Sequence, residues 1–217
     1  MHAKKTNKTK VLAVVLALVL VIGCTAGATL AWLTDRTGDV VNTFTVGNIK
    51  IDLKEHELKT DGTLDMGKEV TENANYKMVP GNVLPKDPFV TVKANSEACW
   101  LFVKIQKSAN FDTYMESATA SGWTLLTGDG IEAGVYYREV NASTEDQPFS
   151  VLANDQVKVR DTVTKKMMDD ITNGIESAPT ITFTAYAVQK DNVADAATAW
   201  GYAKNTPAPT PTPTLAP

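Results

Sequence analysis

The chain has 217 residues, enough for one domain or at most two small ones, and its hydrophobic fraction of 43% is enough for a packed core. Formal net charge is −4. Residues 1–31 hold Lys4, Lys5, Lys8 and Lys10 and no acid; without these four of the 21 basic residues, 17 face 25 acidic ones, a net −8. That acidity argues against a nucleic-acid partner, which needs a basic face to release phosphate counterions.

In chain order, the first predicted element is an export signal helix over residues 1–31. The lysines form a positive n-region, Val11 to Ile22 are all apolar, and small residues run from Gly23 to Thr29. Thr29-Leu30-Ala31 supplies the small side chains that a signal peptidase needs, which places the cut between Ala31 and Trp32. Two other outcomes stay open. Val21-Ile22-Gly23-Cys24 fits a lipoprotein pattern in which Cys24 is lipidated. The 24 uncharged residues from Val11 to Thr34 are also long enough to span a membrane uncut. If the signal leaves, Cys99 has no cysteine partner, so the mature chain relies on its core and not on a disulfide.

The body, residues 32–204, reads as strands. Phe44, Val46, Ile49, Ile51 and Leu53 are apolar, with Gly47-Asn48 shifting the phase as a bulge does. Glu55-His56-Glu57 follows and is expected in a solvated, charged loop. Val90 and Val92 alternate with polar neighbours. Cys99, Leu101, Val103 and Ile105 share one face of the next run. Trp100 and Phe102 start its other face, and Lys104 and Gln106 finish it, so this strand is expected to be buried on both sides at its start and on one side at its end. Further strands are expected at Trp123–Leu125, 135–140, 157–163 and from Ile181 to Ala187. Turn signals separate them at Asp61-Gly62, Pro80-Gly81, Gly128-Asp129-Gly130 and Asn173-Gly174. Short helices are expected at Tyr114 to Ala120, at Lys165 to Ile171 and around Val193, Ala196, Ala197 and Trp200, the last packing onto the sheets. The pattern predicts an all-β antiparallel β-sandwich with a few short helices. Residues 205–217 form a Pro/Thr-rich tail that cannot bury a core and is expected to be extended.

The segment from Gly27 to Asn48, GATLAWLTDRTGDVVNTFTVGN, resembles the TasA/camelysin family, exported proteins processed by a SipW-type signal peptidase. The matching positions are Thr29, Ala31, Trp32, Asp35, Phe44, Gly47 and Ile49. A second block, Tyr76 to Ser96, is similar to the family's Pro-Gly-Asp/Asn turn followed by Lys-Asp and a strand, at Pro80, Gly81, Asn82, Lys86, Asp87 and Asn95. A third, Phe183 to Gln189, looks like its late strand. The resemblance implies a jelly-roll-like sandwich, a SipW-type peptidase as partner, and a place among biofilm fibre subunits or among relatives described as metallopeptidases. In fibre formers the cut frees a segment that adds as a strand to the next subunit. Here the candidate donor is residues 32–43 and the start of the strand after it, with apolar positions at Trp32, Leu33, Val40, Val41 and Phe44. An open sheet edge is what such a strand would join.

The enzyme reading fails on inventory. Only His2 and His56 are present, so a His-Glu-x-x-His zinc site cannot be built, and a serine or cysteine triad has one histidine to draw on. Cys99 opens an apolar strand and reads as a buried small hydrophobe. Asp61, Asp65 and Asp129 lack a complete calcium ligand ladder. The expectation is therefore a non-catalytic, exported surface or matrix subunit without metal or cofactor, assembling with itself, in contact with membrane only through an uncleaved N-terminus. A secreted metallopeptidase and an anchored binding module are the alternatives.

Overall fold

A computed structural model describes residues 34–37, 48–73 and 76–205, with the side chains of 34–37 excepted. The signal segment, Cys24, the cleavage pair Ala31 and Trp32, the donor positions Leu33, Val40, Val41 and Phe44, the Gly47 bulge and residues 206–217 of the tail lie outside the described residues.

The protein is an all-β antiparallel sandwich. One sheet has the order β1 (Thr34–Thr37), β12 (Ile181–Gln189), β6 (Cys99–Lys107), β9 (Val135–Val140), β8 (Thr124–Leu125). The second runs β10 (Gln147–Ser150), β5 (Phe89–Val92), β2 (Ile51–Leu58), β3 (Leu64–Val70). A third, smaller sheet runs β4 (Val83–Pro85), β11 (Gln156–Val159), β7 (Met115–Glu116). Among the described residues, three short α-helices accompany them: α1 (Phe111–Tyr114), α2 (Lys165–Thr172) and α3 (Ala196–Ala203).

The central strand β6 shows why this sequence makes a sandwich. Cys99 to Val103 are all buried, Lys104 is half-buried, and Gln106 and Lys107 are exposed. Cys99, Leu101, Val103 and Ile105 face the second sheet and meet Ile51, Val90 and Val92 there. Each such side chain removed from water contributes about 1.5–3 kcal/mol. Phe102 lies on the opposite face, where Trp200 of α3 covers it at 5.4 Å between ring centroids. Tyr186 of β12 meets the same indole edge-on at 5.0 Å. Asp195 caps α3, its carboxylate accepting from the Thr198 N–H at 2.7 Å, which fixes where the covering helix begins.

A second apolar cluster sits under the small sheet. Phe111, Tyr114, Met115, Leu152, Val157 and Val159 form it, and Met167, Met168 and Ile171 of α2 pack on its side. The Thr164 hydroxyl caps α2 by accepting from the Met167 N–H at 3.3 Å. The Tyr114 hydroxyl donates to Glu176 Oε2 at 2.7 Å. That bond, then burial, pushes the phenol up to about 12.

Several boundaries differ from the sequence expectation. The helix expected from Tyr114 to Ala120 instead ends at Tyr114. Met115 is extended and pairs with Val159, because β11 offers Met115 both a backbone partner and a place in the second cluster. The strand expected over 157–163 ends at Val159, after which the Val163 N–H turns back to the Arg160 carbonyl at 3.2 Å. Glu55-His56-Glu57 is not a loop but part of β2, paired with Glu69, Val70 and Asp65 of β3.

Candidate assembly edge and buried polar cluster

The sheet edge formed by β12 is covered unequally. On one side β6 pairs with all nine residues, from Ile181 opposite Lys107 to Gln189 opposite Cys99. On the other, β1 pairs antiparallel only with Ala185 to Val188, Thr34 opposite Val188 and Thr37 opposite Ala185. Among the described residues no strand lies on the Ile181–Thr184 half of this edge. Unpaired N–H and C=O groups of this kind are a template for an added strand. Ile181 and Phe183 border a cleft of about 280 Å³ there, with Leu53 and Glu55 of β2 also in its lining. Residues 34–37, the part of the candidate donor that is described, therefore form the outermost strand of their own sandwich.

The second block of motif residues builds a different feature. Pro80-Gly81-Asn82 is a tight turn, closed by the Asn82 N–H donating to the Val79 carbonyl at 3.0 Å. Gly81 has φ +82°, a left-handed backbone conformation that favours glycine in this turn. The Gly81 N–H bonds the Val159 carbonyl, and the Val159 N–H bonds the Asn82 carbonyl, which anchors the turn on β11.

From β4 the chain enters the sandwich with two charged residues, Lys86 and Asp87, which are 8% and 6% exposed. They meet two consecutive residues of β2. Lys86 Nζ donates to Glu55 Oε2 at 2.6 Å, and Glu55 is itself 4% exposed. His56 Nδ1 lies 2.6 Å from Asp87 Oδ2, and the His56 backbone N–H donates to Asp87 Oδ1 at 3.1 Å. Phe89 packs near the imidazole at 5.3 Å between centroids. Asn73 closes the far side: its Oδ1 accepts from the Leu58 N–H and its Nδ2 donates to the His56 carbonyl, both at 2.7 Å. The Tyr76 ring lies 5.3 Å from Lys86 Nζ. Its hydroxyl is shut off from solvent beside the Asn73 carboxamide, and the hydroxyl hydrogen has no acceptor among the described residues. Burial pushes this phenol well above its ordinary range. The negative charges of Glu55 and Asp87 add to the rise, and the nearby Asn73 carboxamide pulls the other way.

The paired arrangement Asp87–His56 has the outline of an acid–base couple, yet no hydroxyl or thiol is hydrogen-bonded to the imidazole among the described residues. Cys99 lies elsewhere, fully buried, with its thiol pushed up to about 12 by burial. A neutral thiol without access is a poor nucleophile. Among the described residues no group of three or more His, Cys, Asp or Glu side chains is placed to hold a metal ion. The Asp61 carboxylate is occupied locally, accepting from the Thr63 N–H and hydroxyl at 2.9 and 2.7 Å.

Sequence reasoning picked out Pro80, Gly81, Asn82, Lys86 and Asp87 as a block but not Glu55, His56, Asn73 and Tyr76 as their partners. The pairing of Lys86 with Glu55 spans 31 residues of chain, and no local pattern marks it. Among the described residues no helix is long and apolar enough to cross a membrane. No family model, curated protein or solved structure matches this chain.

Proposed function

We propose that this chain is an exported cell-surface or matrix structural subunit that assembles with copies of itself by strand addition. Residues 34–37 of one copy take the seat on β12 of the next. The observation that carries the reading is the unequal cover of β12: nine residues paired on one side and four on the other. A strand held by so few ladder pairs is a weak occupant of its own edge and a natural candidate for exchange. The resemblance of residues 27–48 and 76–96 to the TasA/camelysin family supports the same reading, as does the signal-like N-terminus. On this reading cleavage after Ala31 releases the segment for exchange, and until then the signal tethers it.

The test is a cysteine pair placed across the observed register, Thr37→Cys with Ala185→Cys, in protein beginning at Trp32. Under assembly conditions, oxidation is expected to give a ladder of covalent oligomers on non-reducing gels, together with filaments by electron microscopy. Disulfides confined to single chains, with no filaments, would refute strand exchange.

A further inference from the structure

Lys86, Lys104 and Arg160, none of them fully exposed, are each met by an acid: Glu55, Glu132 and Glu116. Arg138 is different. It stands on β9 opposite Leu101 of β6 and is half-buried, yet its side chain has no hydrogen-bond or ion-pair partner among the described residues.

Aromatic rings surround it instead. Its Cζ lies 3.9 Å from the Phe149 ring centroid and 5.4 Å from that of Trp123. Phe149 belongs to β10, the edge of the second sheet, and Trp123 immediately precedes β8, the edge of the first. The Trp123 indole N–H donates to the Ser150 carbonyl at 2.8 Å, which ties that ring across to β10. Burial holds the guanidinium below the ordinary arginine range. Attraction to the ring faces offsets part of the lost hydration but satisfies none of the N–H groups.

The atoms of the guanidinium differ in access. Nε is shut off from solvent without a partner. Nη1 and Nη2 are equally unpaired among the described residues but are not shut off. A β-carbon at Gly122 would stand 3.1 Å from Nη2 and 3.4 Å from Nη1, so a side chain there would press on this end. Glycine, which φ +85° favours, leaves it uncovered. The accessible edge is therefore the end-on one, with two parallel N–H groups. The two oxygens of a carboxylate match that edge and neutralise the charge as well.

We propose that the Nη1–Nη2 edge of Arg138, held against Phe149 and Trp123, is a binding site for a carboxylate ligand. The site does not depend on strand addition, because β1 lies at the other end of the first sheet. The rings fix the plane of the fork, so little side-chain freedom is lost when the ligand binds.

The experiment follows the Arg138 Nε–H and the indole N–H groups of Trp123 and Trp200 by nitrogen-15 NMR during titration with glutarate at constant ionic strength. The expected result is a saturable shift at Arg138 and Trp123 but not at Trp200, whose indole N–H is bonded to Glu132. Arg138→Lys keeps the charge and loses the fork, and is expected to weaken binding at least ~10-fold, read at Trp123. Arg138→Met is expected to abolish the Trp123 shift while the Trp123 N–H stays protected from exchange, the sign that its bond to Ser150 and the fold persist. No saturable shift in the parent protein overturns the proposal. So does equal glutarate affinity in Arg138→Lys, or chloride producing the same shifts at the same concentration.

Discussion

The two buried regions next to β2 are held by different forces. Toward the start of this strand, Ile51 packs against Val90, Val92, Leu101 and Val103 in an interior of mainly aliphatic side chains. Four residues further along, Glu55 occupies a buried position and is met by Lys86. The first region gains stability from every methylene removed from water, and its members can be exchanged for others of similar volume. The second is stable only while both partners are present, because either charge alone would be stranded out of water. One strand thus passes from a packing site to a pairing site within four residues. The pairing site is also where the connection from the Pro80-Gly81 turn is locked to the sandwich.

The largest expected effect comes from breaking that pair. Lys86→Ala leaves Glu55 buried and unpaired, and a loss of about 3–5 kcal/mol is expected in urea unfolding. The double variant Glu55→Leu with Lys86→Met removes both charges and is expected to recover most of the loss. A double variant as unstable as the single one would show that the region does more than balance two charges. In the aliphatic region the matching change is Leu101→Ala, expected to cost about 2–5 kcal/mol with no rescue from any charge change nearby.

Alkaline pH separates the regions next. The Cys99 thiol, ordinarily near 9.0, is pushed up to about 12 by burial in the aliphatic core. Between those values the folded state holds a proton that the unfolded state has lost, so stability falls as pH rises, at up to about 1.4 kcal/mol per pH unit. Unfolding curves of Cys99→Ala at pH 8 and pH 10 are expected to show a shallower decline than the parent. An unchanged slope would mean that the core does not keep the thiol protonated.

At the pairing site, Tyr76→Phe removes a buried hydroxyl whose hydrogen has no acceptor among the described residues. It is expected to stabilise the protein by about 1 kcal/mol, seen as a higher urea midpoint at unchanged slope. The smallest effect lies outside both regions. Lys165 and Asp169 form an exposed ion pair one turn apart on α2, and Lys165→Ala is expected to cost about 0.3–0.5 kcal/mol by the same measurement.

The alternation of side chains along the chain by itself determined the class of fold. Cys99 to Ile105, Val90 with Val92, and Ile181 to Ala187 each carry the two-residue period of a strand, and water enforces that period whatever the partner strands are. The helical spacing of Ala196 and Trp200 is equally local, and α3 lies where that spacing places it. What only the tertiary structure decided is the identity of partners. Glu55-His56-Glu57 resembles a solvated loop when read alone, since charged side chains are usually hydrated. It becomes strand because Lys86 and Asp87 arrive from 31 residues away to meet it. The helix pattern after Tyr114 gave way for a similar reason, as β11 supplied Met115 with a backbone ladder and an apolar place. Local sequence sets which face of an element prefers water. Long-range contacts decide whether a charged or ambiguous segment finds a partner good enough to leave it.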